Sequence, residues 1–150
     1  MLSLPFKKDI TKEYLENYLI NLALNTMKFV NQNEINILNN KSDGTSLSQA
    51  DLELDKIIYK SLNKLDINIP IISEERNIQK EAFMEKNYWL IDPIDGTSNY
   101  INGGNQYTIN IALIQNGLPT IGLIAHPPSK QVWLAVQKSI FIYDEKKKLK

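Results

Sequence analysis

Tyr107-Thr108-Ile109-Asn110-Ile111-Ala112-Leu113 places large apolar residues at every second position, with Thr, Asn and Ala between them. That two-residue period is the mark of a strand with one buried face. Downstream, Asn116-Gly117 reverses the chain into Ile121 to Ala125. Pro127-Pro128-Ser129 reverses it again into Val132 to Val136, and Ile140 to Tyr143 adds a last strand. Upstream, Ile69-Pro-Ile-Ile-Ser73 and Tyr88-Trp-Leu-Ile91 are short apolar runs that end in polar residues, as buried strands do, and the charged stretch Glu75 to Asn87 between them reads as loop.

Further upstream the period changes to three and four. From Thr11 to Asn36 one helical stripe runs through Tyr14, Leu15, Tyr18, Leu19, Leu22, Thr26, Phe29 and Val30. From Ser48 to Leu65 a second runs through Leu54, Ile57, Ile58, Ser61, Leu62 and Leu65. Asn39 to Thr45 between them is turn chemistry. Helices followed by an antiparallel meander predict an α+β fold, two N-terminal helices packed on a mostly antiparallel sheet, in a single domain over residues 1–150.

Composition narrows the chemistry. The chain has 150 residues, 43% of them hydrophobic, enough for one core. Seventeen basic residues balance seventeen acidic ones, so no field favours a nucleic acid polymer or an anionic membrane. Residues 96–129 carry no charged side chain, yet Asn, Gly, Gln and Pro interrupt them too often for a membrane span. The N-terminus has lysines after a very short apolar stretch, unlike a secretory signal, and a cytoplasmic protein is expected. Glu145 to Lys150 reads as a solvated tail. With no cysteine and one histidine, His126, thiolate and histidine-cluster chemistry is excluded, which leaves oxygen.

Oxygen ligands concentrate in three places. Trp89-Leu-Ile-Asp92-Pro93-Ile94-Asp95-Gly96-Thr97-Ser98 delivers two carboxylates from the end of a buried run, followed by backbone N–H groups suited to a phosphate oxygen. The bland reading is an ordinary Asp-Pro-x-Asp-Gly turn. Ile71-Ile-Ser-Glu74-Glu75-Arg76 ends a second apolar run in carboxylates, with Arg76 as local counter-ion in the bland reading. Asp51, three residues after Ser48, fits a helix capping box. Two carboxylates about 4 Å apart repel by about 4 kcal/mol at an effective dielectric of 20. If Asp51, Glu74, Asp92 and Asp95 converge they need protons or cations, and an all-oxygen set suits Mg²⁺ or Mn²⁺. His126 reads as a turn or surface residue, and Trp89 and Trp133 as core or sheet packing.

Ile72-Ser-Glu-Glu75, Trp89-Leu-Ile-Asp-Pro-Ile-Asp-Gly-Thr97, Tyr107-Thr-Ile-Asn-Ile-Ala-Leu-Ile114, Gly122-Leu-Ile and Lys41-Ser-Asp-Gly-Thr-Ser-Leu-Ser-Gln-Ala-Asp51 together resemble the inositol monophosphatase family of metal-dependent phosphatases. Within it the chain looks most like the 3'(2'),5'-bisphosphate nucleotidase (CysQ-type) branch. The resemblance implies Mg²⁺ held by Glu74, Asp92 and Asp95 and by the carbonyl of Ile94. It implies Asp51 and Thr97 as the pair that orients or deprotonates the attacking water. Phosphate would be bound at Asp95, Gly96 and Thr97. The expected reaction is in-line hydrolysis of 3'-phosphoadenosine 5'-phosphate by water on the metal, without a phosphoenzyme and with sensitivity to Li⁺. Inositol-1-phosphate is the alternative substrate.

The same resemblance exposes departures. Family members continue into a second α/β part with a Trp-Asp motif and much of the leaving-group pocket. Here Trp133 is followed by Leu134, and Ser46 and Ser48 stand where Pro and Thr are common. The expectation is the N-terminal, metal-binding part alone, with an uncovered apolar face that favours a homo-oligomer or a complementary C-terminal fragment. A non-catalytic remnant or one half of a split enzyme is the reading from a different class.

Overall fold

The computed structural model describes residues 5–6, 10–32, 37–40, 46–66, 68–76 and 85–144. Asn33 to Asn36, residues 41–45 of the expected turn, most of the expected loop (77–84) and the expected tail 145–150 lie outside them.

Thr11 starts the first helix, its hydroxyl accepting from the Tyr14 amide at 3.1 Å. α1 (Lys12–Gln32) buries Leu15, Leu19, Leu22, Ala23, Thr26, Met27 and Val30, whereas Tyr14, expected on the stripe, is 53% exposed. Leu15 rather than Tyr14 leads the buried face, and Tyr14 stacks outside against Tyr18. Between the helices, β1 (Ile37–Asn40) and β2 (Ser46–Ser48) pair antiparallel, so Asn39 and Asn40, expected in the turn, belong to a strand. α2 (Gln49–Leu65) opens with the expected capping box at Ser48 and Asp51, and buries Leu54, Ile58, Leu62 and Leu65. The Tyr18 hydroxyl donates to the Ser61 carbonyl at 2.8 Å and ties the two helices together.

Six strands form the main sheet in the order β3 (Ile71–Ser73), β4 (Asn87–Asp95), β5 (Thr108–Gln115), β6 (Leu118–His126), β7 (Gln131–Val136) and β8 (Ser139–Asp144). A short helix, α3 (Thr97–Ile101), follows β4. The two long helices cover one sheet face, where Trp89, Ile109, Leu113, Leu123, Val132 and Leu134 are buried. Four of the five pairings are antiparallel; β3 and β4 are parallel, Ser73 level with Ile91. None of the described helices is long and apolar enough to cross a membrane.

Two features of β4 bring the acidic residues together. Parallel pairing carries the ends of β3 and β4 to the same side of the sheet, and the Glu74 amide extends the ladder by donating to the Ile91 carbonyl at 3.3 Å. Then β4 runs on through Pro93 to Asp95, further than the apolar run Tyr88 to Ile91 suggests. Asp92 faces Asn110 and Asp95 faces Thr108, so β4 uses one more residue than β5 over that interval. Proline has no N–H to give the ladder, and a bulge is where a strand tolerates it. Residues three apart on a regular strand point to opposite faces. The extra residue cancels that, and both aspartates come to the side where Asn110 lies.

Candidate metal and phosphate site

Asp92 is the centre of the carboxylate group. It is half-buried, shares a hydrogen bond with Glu74, and feels the charges of Glu74, Asp95 and Glu75. Burial first, then the neighbouring carboxylates, push its pKa from an ordinary 3.8 up to about 7. Its Oδ1 is buried with no hydrogen-bond partner. Asp95 and Glu74 are exposed, so the group opens to solvent on one side. Asn110 Nδ2 donates to Asp95 Oδ2 at 3.1 Å.

A second group lies at the start of α2. Asp51 is fully buried, and its two oxygens have separate tasks. Oδ2 accepts from the Ser48 amide at 2.9 Å and from the Ser48 hydroxyl at 2.5 Å, closing the cap. Oδ1 accepts from the Thr97 hydroxyl at 3.1 Å. The cap and the pairing with Thr97, alternatives in the sequence, coexist in one side chain. Thr97 Oγ1 also lies 2.8 Å from the Ile94 carbonyl. One hydroxyl proton serves two acceptors in turn, and the oxygen keeps lone pairs that can accept from water.

Gly96 makes the bend between Asp95 and α3. Its φ of +88° is the left-handed conformation that glycine adopts without penalty, and a Cβ there would come 2.6 Å from the Gln106 carbonyl oxygen. Behind it Tyr100 is buried, its ring edge-on to Tyr107 with centroids 5.1 Å apart.

Arg76 corrects the bland reading of its neighbourhood. It leaves its own loop and binds Asp55 on α2, with Nε at 2.8 Å and Nη2 at 2.7 Å from Oδ2, while its guanidinium lies 3.8 Å from the Tyr59 ring centroid. Asp55 is almost fully buried, so the loop that carries Glu74 and Glu75 is pinned to α2. His126 is likewise more than a turn residue. Nδ1 meets the Ser129 hydroxyl at 2.7 Å and Nε2 the Asn105 carbonyl at 2.8 Å, tying the turn after β6 to the loop before β5.

Sequence reasoning missed Arg76, Asp55 and Asn110 as parts of the site. Asn110 had a signal: asparagine is depleted in strands, yet it sits mid-strand between Ile109 and Ile111. Among the described residues no three His, Cys, Asp or Glu side chains stand ready-made as a cage for a metal ion. The donor chemistry nevertheless fits a hard divalent cation. The set is all oxygen, a proton holds two of its carboxyl groups together, and one buried Asp92 oxygen is unpaired.

A six-stranded sheet under two helices, with acidic strand ends gathered at one side, defines the class: an α+β protein with a carboxylate cluster at one end of its sheet. The family model for the inositol monophosphatase family matches residues 11–150, and the chain belongs to that family. The 3'(2'),5'-bisphosphate nucleotidase CysQ of Buchnera aphidicola is 38% identical over 104 residues, which are 69% of this chain and 37% of that protein. The CysQ of Escherichia coli K12 is 33% identical over 98 residues, 65% of this chain and 40% of that one. Among solved structures, a staphylococcal inositol monophosphatase soaked in LiCl superposes with a TM-score of 0.80 at 18% identity, covering 90% of this chain and 52% of that one. CysQ from Bacteroides thetaiotaomicron gives 0.68 at 24% identity, covering 89% and 51%. The chain thus spans about half the length of these structural neighbours and less of the curated relatives it matches.

Proposed function

We propose that the chain carries the metal and phosphate machinery of a Mg²⁺-dependent phosphomonoesterase of the CysQ type, with 3'-phosphoadenosine 5'-phosphate as substrate. Glu74, Asp92, Asp95 and the Ile94 carbonyl would hold the cation. Bound there, Mg²⁺ or Mn²⁺ supplies positive charge that acidifies water and neutralises phosphate oxygens. The observation that carries this reading is the Glu74–Asp92–Asp95 group, where burial of Asp92 and then the neighbouring carboxylates raise its pKa to about 7, a cost that a cation relieves.

The chain's own residues do the rest. Thr97 Oγ1 takes a proton from the attacking water as its own hydroxyl proton moves to Asp51 Oδ1, the oxygen the cap leaves available. Ser48 keeps Asp51 from turning away. The Gly96 bend, which the close Gln106 carbonyl reserves for glycine, offers the backbone N–H groups of Gly96 and Thr97 to the phosphate. The pocket for the leaving nucleotide is assigned to the part of the CysQ relatives that this chain does not span.

Phosphate release from 3'-phosphoadenosine 5'-phosphate and from inositol-1-phosphate, at millimolar Mg²⁺, tests the reading, with Asp92→Asn as control. Turnover of the nucleotide that Asp92→Asn abolishes supports it, and preference for the inositol ester reassigns the branch. A second reading, a chain that folds and binds the cation without turning substrate over alone, also has an observation behind it. Beside Asp92, the sheet face away from the helices leaves Leu90 42% and Ile124 46% exposed around a hollow of about 530 Å³. Equal rates for the wild type and Asp92→Asn leave only that second reading.

A further inference from the structure

The carboxylates of the proposed site need something to hold their orientation, and β5 supplies a candidate that the resemblance does not assign. Asn110 sits directly across from Asp92 in the β4–β5 ladder and lines the same hollow as Glu74 and Asp92. A carboxylate only accepts, so the amide presents Nδ2 to Asp95, at 3.1 Å. Its other end, Oδ1, is buried with no partner. A carboxamide placed in the middle of a strand, with one polar atom unsatisfied, is a poor choice for stability alone.

We propose that Asn110 is a positioning residue for the metal site, a role that rests on the proposed cation binding by Glu74, Asp92 and Asp95. It fixes the Asp95 carboxylate through Oδ2, so that the other oxygen faces the cation. Asp95 needs such a partner because it lies beyond the Pro93 bulge, where β4 and β5 have shifted register. Partners of this kind orient ligands, and losing one weakens metal affinity by roughly 10- to 100-fold.

The test is Mn²⁺ binding followed by electron paramagnetic resonance on the full chain, with folding checked by circular dichroism. Wild type, Asn110→Leu, Asp95→Asn and the double variant are compared. The expected result is a loss of roughly 10-fold or more for Asn110→Leu in the wild-type background. In the Asp95→Asn background the same change should move affinity by no more than about twofold, because Asn110 acts through Asp95. A role in strand packing alone would weaken binding equally in both backgrounds and overturns the proposal. So does wild-type affinity retained by Asn110→Leu, which would leave the metal site itself standing. Wild-type protein that binds no Mn²⁺ removes the metal reading and this role together. Should Asn110→Leu fail to fold, Asn110→Ala goes through the same comparison.

Discussion

The Thr97 hydroxyl donates to Asp51 across 46 residues of sequence, at 3.1 Å, and joins the start of α2 to the start of α3. This bond links the two halves of the proposed site. Thr97→Val removes it and leaves Asp51 Oδ1 buried without a donor. The expected cost is about 1–3 kcal/mol in urea unfolding, whereas Thr97→Ser, which keeps the hydroxyl, should lie close to wild type. In the phosphate-release assay Thr97→Val should lose most activity and Thr97→Ser little.

Arg76 and Asp55 form a demanding ion pair, since the Asp55 side chain is only 6% exposed. Arg76→Met strands that carboxylate. Loss of one partner of a buried pair costs about 3–5 kcal/mol, and the lower end is expected because Arg76 is partly solvated. The double change Arg76→Met with Asp55→Leu should recover much of the loss. Arg76→Lys should not, because one ammonium cannot bind through two nitrogens and stack on Tyr59 as well. Denaturant unfolding of these three variants, with Asp55→Leu alone as the fourth, measures each step, and additive losses would refute the pairing.

Much of this arrangement is legible in the chain's residues alone. The helices announce themselves because a buried stripe must repeat every three or four residues, and Ser48-x-x-Asp51 spells out the cap. The hairpins from β5 to β8 are readable because alternation and turn residues are local. What stays hidden depends on pairing between distant segments. Nothing near Glu74 says that β3 runs parallel to β4, although that pairing alone sets Glu74 beside Asp92. Nothing near Arg76 names Asp55, which lies 21 positions away on another element. The bulge at Pro93 is half legible: proline signals a break in a ladder, but not that the break turns Asp95 to the same side as Asp92.

Gly96 and Gly122 offer a contrast between two glycines near the site. Gly96→Ala meets both a positive φ and a Cβ 2.6 Å from the Gln106 carbonyl, so a loss of more than about 2 kcal/mol is expected. Gly122 has ordinary φ and nothing within 4 Å of a Cβ. Gly122→Ala should therefore be neutral or stabilise by up to about 1 kcal/mol, through the unfolded chain. Thermal unfolding decides both. Equal losses at the two positions would mean the bend at Gly96 is not held as described.

Asp92 links pH, stability and metal. Without metal its pKa is raised from 3.8 to about 7, with burial the largest cause. Between about pH 4 and pH 7 the folded chain therefore keeps a proton that the unfolded chain has released, and stability falls as pH rises through that window. Above about pH 7 both states are ionised and the decline levels off. A divalent cation acts in the opposite sense, since it binds the ionised carboxylates and competes with the proton. In chelator, the melting temperature should drop from pH 5 to pH 7.5, and millimolar Mg²⁺ should restore more of it at pH 7.5 than at pH 5. Asp92→Asn has no carboxyl to titrate, so its melting temperature should lose that part of the pH slope and much of the Mg²⁺ response together. A wild-type slope that survives in Asp92→Asn would assign the proton elsewhere, and equal Mg²⁺ stabilisation at both pH values would separate the cation from this carboxylate.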